Sequence, residues 1–139
     1  MLKDASELVR YRPGPGRDLI DVVTQARVAR IVVECDYDDG QVEVELAIDL
    51  LVEQGPAATD ATVALPYFIA IIDASQRILA KEVFTSQVEF PADRRRVGVR
   101  EETEQDIPFG PGESGVSFEI LVGFQLSKQE LEDIRRRNR

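Results

Sequence analysis

Residues Ala26 to Glu53 read ARVARIVVECDYDDGQVEVELAIDLLVE, and the fold follows from how this stretch pairs with itself. Asp39-Gly40 is a two-residue hairpin signal, because a type I′ turn needs φ > 0 at both centres and these residues tolerate it. With those two as the loop, Tyr37 opposes Val42, Cys35 opposes Val44, Val33 opposes Leu46, Ile31 opposes Ile48 and Ala29 opposes Leu50. Every pair is apolar, and a slip of one residue would turn one strand's apolar set to the other face. The alternation therefore predicts two long antiparallel strands in one register.

Outward from the hairpin, the chain continues in strands. Val63 to Asp73 (VALPYFIAIID) is apolar on both faces, with Leu65, Tyr67, Ile69 and Ile71 on one and Phe68, Ala70 and Ile72 on the other. Such a run suits a central strand, with Pro66 near its start or at a bulge. Arg77 to Thr85, Gln87 to Phe90 and Arg95 to Asp106 read as further strands, the last with a wet face. Val116 to Leu126 alternates cleanly, and Leu19 to Thr24 adds a short strand ahead of the first long one. Before it, residues 1–18 form an arm or linker: Pro13 and Pro15 forbid a helix and Gly14 and Gly16 make a loop.

A helix over 128–138 closes the chain. Ser127 and Glu130 form a capping box, and Leu126 and Leu131 stand at the positions of a hydrophobic staple. Leu131 and Ile134 should rest on the sheet, since so short a helix is marginal alone. The expected fold is an all-β antiparallel sandwich of about seven strands over residues 19–139, of immunoglobulin or fibronectin type III kind. The disulfide and core tryptophan of antibody domains are missing, so the expectation is the wider architecture.

Composition narrows the function. Hydrophobic residues at 43% and charged residues at 31% describe a globular domain that needs no metal or disulfide for its core. A net charge of −9 argues against nucleic acid, whose phosphates demand a basic surface, and against docking on anionic lipid. No histidine is present, which removes the usual general base and the commonest transition-metal ligand. The single cysteine, Cys35, falls on the apolar face of the hairpin and is expected to be a buried, inert thiol. The longest apolar run is too short to span a membrane. Phosphate loops, dinucleotide fingerprints and nucleophile elbows are absent, so no catalytic residue and no cofactor is expected.

Acidic residues form the sharpest cluster. In the hairpin register Glu34 faces Glu45 and Asp36 faces Glu43, with Asp38 and Asp39 at the tip. Like charges directly opposite on a sheet are destabilising, and water, arginines, a cation or a basic partner relieves them. The spacing fits a calcium loop poorly, since Ala47 stands where the twelfth-position glutamate belongs, so no metal is expected. These six residues are the candidate contact for a protein partner. Phe68, Ala70 and Ile72 form a second candidate, an apolar interface for a partner, a ligand or another copy, unless the helix or the arm covers them. Arg94-Arg95-Arg96 is either an anion contact or a solvated turn.

The segments DASELVRYRPGPGRDL (4–19), YFIAIIDASQRILAKEVF (67–84), RRRVGVREETEQDIPF (94–109) and EILVGFQLSKQEL (119–131) together resemble a group of uncharacterised bacterial envelope lipoproteins. That resemblance implies a periplasmic domain tethered by an N-terminal lipid added to its precursor, and it carries no assigned activity or functional residues. The reading that results is a non-enzymatic interaction or structural module. A carrier with an apolar pocket between the sheets, enclosing roughly 300 Å³ or more, is the alternative.

Overall fold

The structure is a computed structural model, which describes residues 6–38, 40–73, 75–108 and 119–137. Among the described residues, seven strands form two antiparallel sheets. β1 (Glu7–Tyr11), β2 (Val22–Asp38), β3 (Gln41–Gln54) and β6 (Arg96–Pro108) make one, in the order β1-β2-β3-β6. β4 (Thr62–Ile72), β5 (Ile78–Glu89) and β7 (Glu119–Phe124) make the other, in the order β5-β4-β7. Helix α1 (Lys128–Arg137) ends the described chain. The 4 + 3 division is that of immunoglobulin constant-type sandwiches, whose strands numbered along the chain run 1-2-5-4 and 3-6-7. Here the strand order is different, because the β2–β3 hairpin stays within one sheet and β6 returns beside β3.

β3 carries the alternation that builds the core. Val42, Val44, Leu46, Ile48, Leu50 and Val52 are all buried, and they join Leu65, Tyr67, Ile69 and Ile71 of β4 and Val122 and Phe124 of β7 in one continuous cluster. The hairpin register holds from Asp38↔Gln41 through Ile31↔Ile48, and Gly40 adopts the left-handed φ of +77° that the turn requires. It fails at Ala29. Leu50 pairs with Val28, so Ala29 is the extra residue of a β-bulge and the inward set switches from odd to even positions. Ala26 and Val28 thereby reach the core.

Beyond Ile31, the inward side of β2 lies open while its partners Leu46 and Val44 on the neighbouring strand stay buried. Val33 is 44% exposed and Cys35 is exposed, so the expected buried thiol is corrected to one open to solvent. The apolar register of a strand fixes which side a residue faces, but cover depends on how far the second sheet reaches.

Within the stretch read as an arm, Glu7–Tyr11 forms the edge strand β1, with Leu8 in the main core and Val9 on the other face. The strand expected over 19–24 starts only at Val22. Leu19–Asp21 is a 3₁₀ turn, held because the Asp21 carboxylate accepts from the Asp18 N–H (3.1 Å) and from Arg12 Nε (2.6 Å). Arg77–Thr85 and Gln87–Phe90 merge into one strand, β5. Pro66 lies inside β4 at the point where β7 ends: its carbonyl accepts from Gln125 N at 2.9 Å, and the ladder with β7 begins only at Tyr67. The missing N–H thus falls at the end of that ladder, beyond its last pair, rather than inside it.

The capping box forms as expected, with Glu130 N–H donating to Ser127 Oγ (3.1 Å) and Ser127 N–H to Glu130 Oε1 (2.9 Å). Ile134 is fully buried against Val9 and Val22, so the helix lies on the outside of the four-stranded sheet at its β1 end. Arg10–Glu130 (3.4 Å) and Arg17–Asp133 (3.2 Å) tie it down. Among the described residues no helix is long and apolar enough to cross a membrane.

Gly55, which leaves β3, offers a test of how closely the chain packs. A Cβ there would sit 2.1 Å from the carbonyl oxygen of Val22, whereas one on Gly98 would meet nothing nearer than 4.0 Å. Gly55→Ala should therefore destabilise the domain by about 2 kcal/mol or more. Gly98→Ala should be neutral or stabilising by about 0.5 kcal/mol, as expected of a strand glycine. Urea unfolding of the two variants checks both signs.

Candidate functional site

The outward face of the four-stranded sheet collects charge by register. Odd positions of β3 point away from the core, as do even positions of β6 and, past the bulge, even positions of β2. Four cross-strand rows result: Asp36–Glu43–Asp106, Glu34–Glu45–Glu104, Val32–Ala47–Glu102 and Arg30–Asp49–Arg100. The first two hold six carboxylates and no cation.

Electrostatics separates the two ends of this face. Arg100 grips Asp49 with two bonds, Nε to Oδ1 at 2.8 Å and Nη2 to Oδ2 at 3.2 Å. That contact lowers the Asp49 pKa below its usual value and raises that of Arg100. At the acidic end the balance reverses. Glu43 shares a hydrogen bond with Glu104, whose charge adds to the effect along with desolvation, Asp106 and Glu45, and together these push Glu43 up from 4.5 to about 7. Crowding by like charges is the cause, and it makes Glu43 hold its proton more tightly than an isolated carboxyl does.

Carboxylate oxygens of Glu43, Glu45 and Glu104 all lie within 4.8 Å of one another. Calcium takes six to eight oxygens, so these three groups would fill its shell only with bidentate contacts, the neighbouring carboxylates or water. An open groove of about 630 Å³ is lined by Val32 and Ala47, by the acids Glu34, Glu45, Glu102 and Glu104, and by Arg30 and Arg100. A smaller hollow of about 190 Å³ lies between Leu8, Gln25, Arg27, Glu53 and Arg137. Both open on the outside of the sandwich.

Of the residues singled out in the sequence, Glu34, Asp36, Glu43 and Glu45 come together as the register requires. Asp38 takes its place at the end of β2 opposite Gln41, and Asp39 lies outside the described residues. The sequence reading missed Glu102, Glu104 and Asp106. Their alternation along β6 was visible, but nothing local says that β6 pairs with β3.

Phe68, Ala70 and Ile72 lie on the outer face of the other sheet and are buried. Phe68 and Ala70 pack with Leu121, and the Lys81 ammonium sits 4.8 Å from the Phe68 ring centre. No residue of α1 belongs to that cluster. Arg95 and Arg96 are committed inside the domain, to the Gly55 carbonyl (2.6 Å) and to Glu53 (2.9 Å).

Compared with known proteins, the chain matches no protein-family model and no curated protein.

The carboxyl pair fixes a pH dependence. Glu43 binds its proton more tightly folded than unfolded, so its contribution to stability is full below about 4.5 and is lost as pH rises toward about 7. Asp49 and Asp73 are shifted the other way, and their contributions vary only below their ordinary value of 3.8. The melting temperature should therefore rise as pH falls from 7.5 to 5, and Glu43→Gln should flatten that slope. Calorimetric scans across this range measure it; a steeper slope in the variant contradicts the assignment.

Proposed function

We propose that this protein is a non-enzymatic interaction module of the bacterial cell envelope, which recognises a basic protein partner through the acidic outer face of its four-stranded sheet. The observation that carries the reading is the pair of three-strand carboxylate rows with no cation in either. Like charges held opposite one another are a standing cost, and a cationic partner removes it on binding. The interior supports surface recognition over carriage: one continuous apolar cluster links both sheets, and both grooves described above open outward. The envelope location is supported by the resemblance of the four sequence segments alone.

Polylysine titrated into the full chain tests the reading by calorimetry. Binding should weaken steeply with salt, as for contacts between exposed charges. The variant Glu34→Gln/Glu43→Gln/Glu45→Gln/Glu104→Gln should lose about tenfold or more in affinity, equivalent to about 1.4 kcal/mol. A control with the same loss of charge, Asp60→Asn/Glu89→Gln/Asp93→Asn/Glu132→Gln, changes exposed acids elsewhere and should lose much less. Equal losses in the two variants would reduce the effect to net charge and overturn the proposal.

A further inference from the structure

We infer that the free edge of β6 receives an added strand from the partner, an extended segment in which basic residues alternate with small polar ones. The inference rests on the acidic-face reading above and specifies the mode of contact. β6 ends the sheet order, and among the described residues its backbone pairs only with β3, from Glu53↔Arg96 to Gln41↔Pro108. Such an edge presents a row of unpaired N–H and C=O groups, the template for strand addition.

Charge makes this edge selective. Both carboxylate rows run across three strands and terminate on β6, at Glu104 and Asp106, with Glu102 one pair further along the same face. The next place in each row belongs to the incoming strand, about 5 Å from its neighbour across the ladder. A lysine or arginine there faces a carboxylate backed by another on β3. Because strand residues alternate faces, the basic positions must be every second residue.

The intervening residues face Thr103 and Gln105 on the inner side. Thr103 and Gln105 are half-buried there, so the facing positions suit small polar side chains. Antiparallel β6–β6 pairing about Glu104 would set Glu102 against Asp106 and Glu104 against itself, so in that register the acidic end of the edge favours a basic strand over a second copy.

Two peptides of identical composition, matched to β6 in length, separate edge pairing from bulk attraction: a Lys-Thr repeat and a Lys-Lys-Thr-Thr repeat. Extended, the first puts every lysine on one face and the second divides them. By fluorescence anisotropy at one ionic strength, the Lys-Thr repeat should bind the full chain about tenfold tighter, or 1.4 kcal/mol. It should also slow amide hydrogen exchange across Glu102–Asp106, and methylating its backbone nitrogens should abolish the advantage. Glu104→Gln/Asp106→Asn should bring the two affinities together. Equal binding of both peptides without protection of β6 would overturn the edge mode while leaving the acidic-face reading in place. Failure of both peptides to bind would overturn the two together.

Discussion

β3 holds the structure together because its two faces do opposite things at every step. Its even positions from Val42 to Val52 bury six aliphatic side chains against the facing sheet, each worth about 1.5–3 kcal/mol. Its odd positions carry Glu43, Glu45 and Asp49 to the outside. Flanked by β2 and β6, β3 has no free edge, so its alternation also sets the phase of both neighbours. Repulsion among exposed carboxylates is screened by water and salt and is weak beside that apolar burial. The core therefore dictates the register, and the acidic rows come with it.

That ordering explains why the outer face is divided. Where a basic residue falls opposite an acid, as Arg100 does against Asp49, the face is neutralised by a two-bond grip. Two and three rows further along, the register brings only acids together, and their crowding pushes Glu43 up to about 7. Elsewhere the domain spends its arginines internally. Arg10 and Arg17 fasten the helix, Arg12 fastens the 3₁₀ turn, and Arg96 pairs with Glu53. Unrelieved charge is thus concentrated at one end of one face.

Much of this was legible from residues alone. The turn at 39–40, the pairing of residues 31–37, the capping box at Ser127 and Glu130, and the inward row of β4 all rest on local rules of period and turn chemistry. What stayed hidden was non-local. Exposure of Cys35 depended on cover from elements built of later residues, and the acids of β6 joined the site through a strand pairing separated by about sixty residues. The pairing expected at Ala29 failed for a subtler reason, because an extra residue in a strand has no distinctive composition.

The bulge at Ala29 acts as a phase shifter within one ribbon. It frees the half of β2 that meets β1 from the half that meets the tip of the hairpin, so each can present its own parity to the same partner strand. A chain built this way can alter the charged end of its face, residue by residue, without disturbing the packing that Ala26 and Val28 supply at the other. Variation in the charge of the face and persistence of the packing are thereby assigned to different stretches of a single strand.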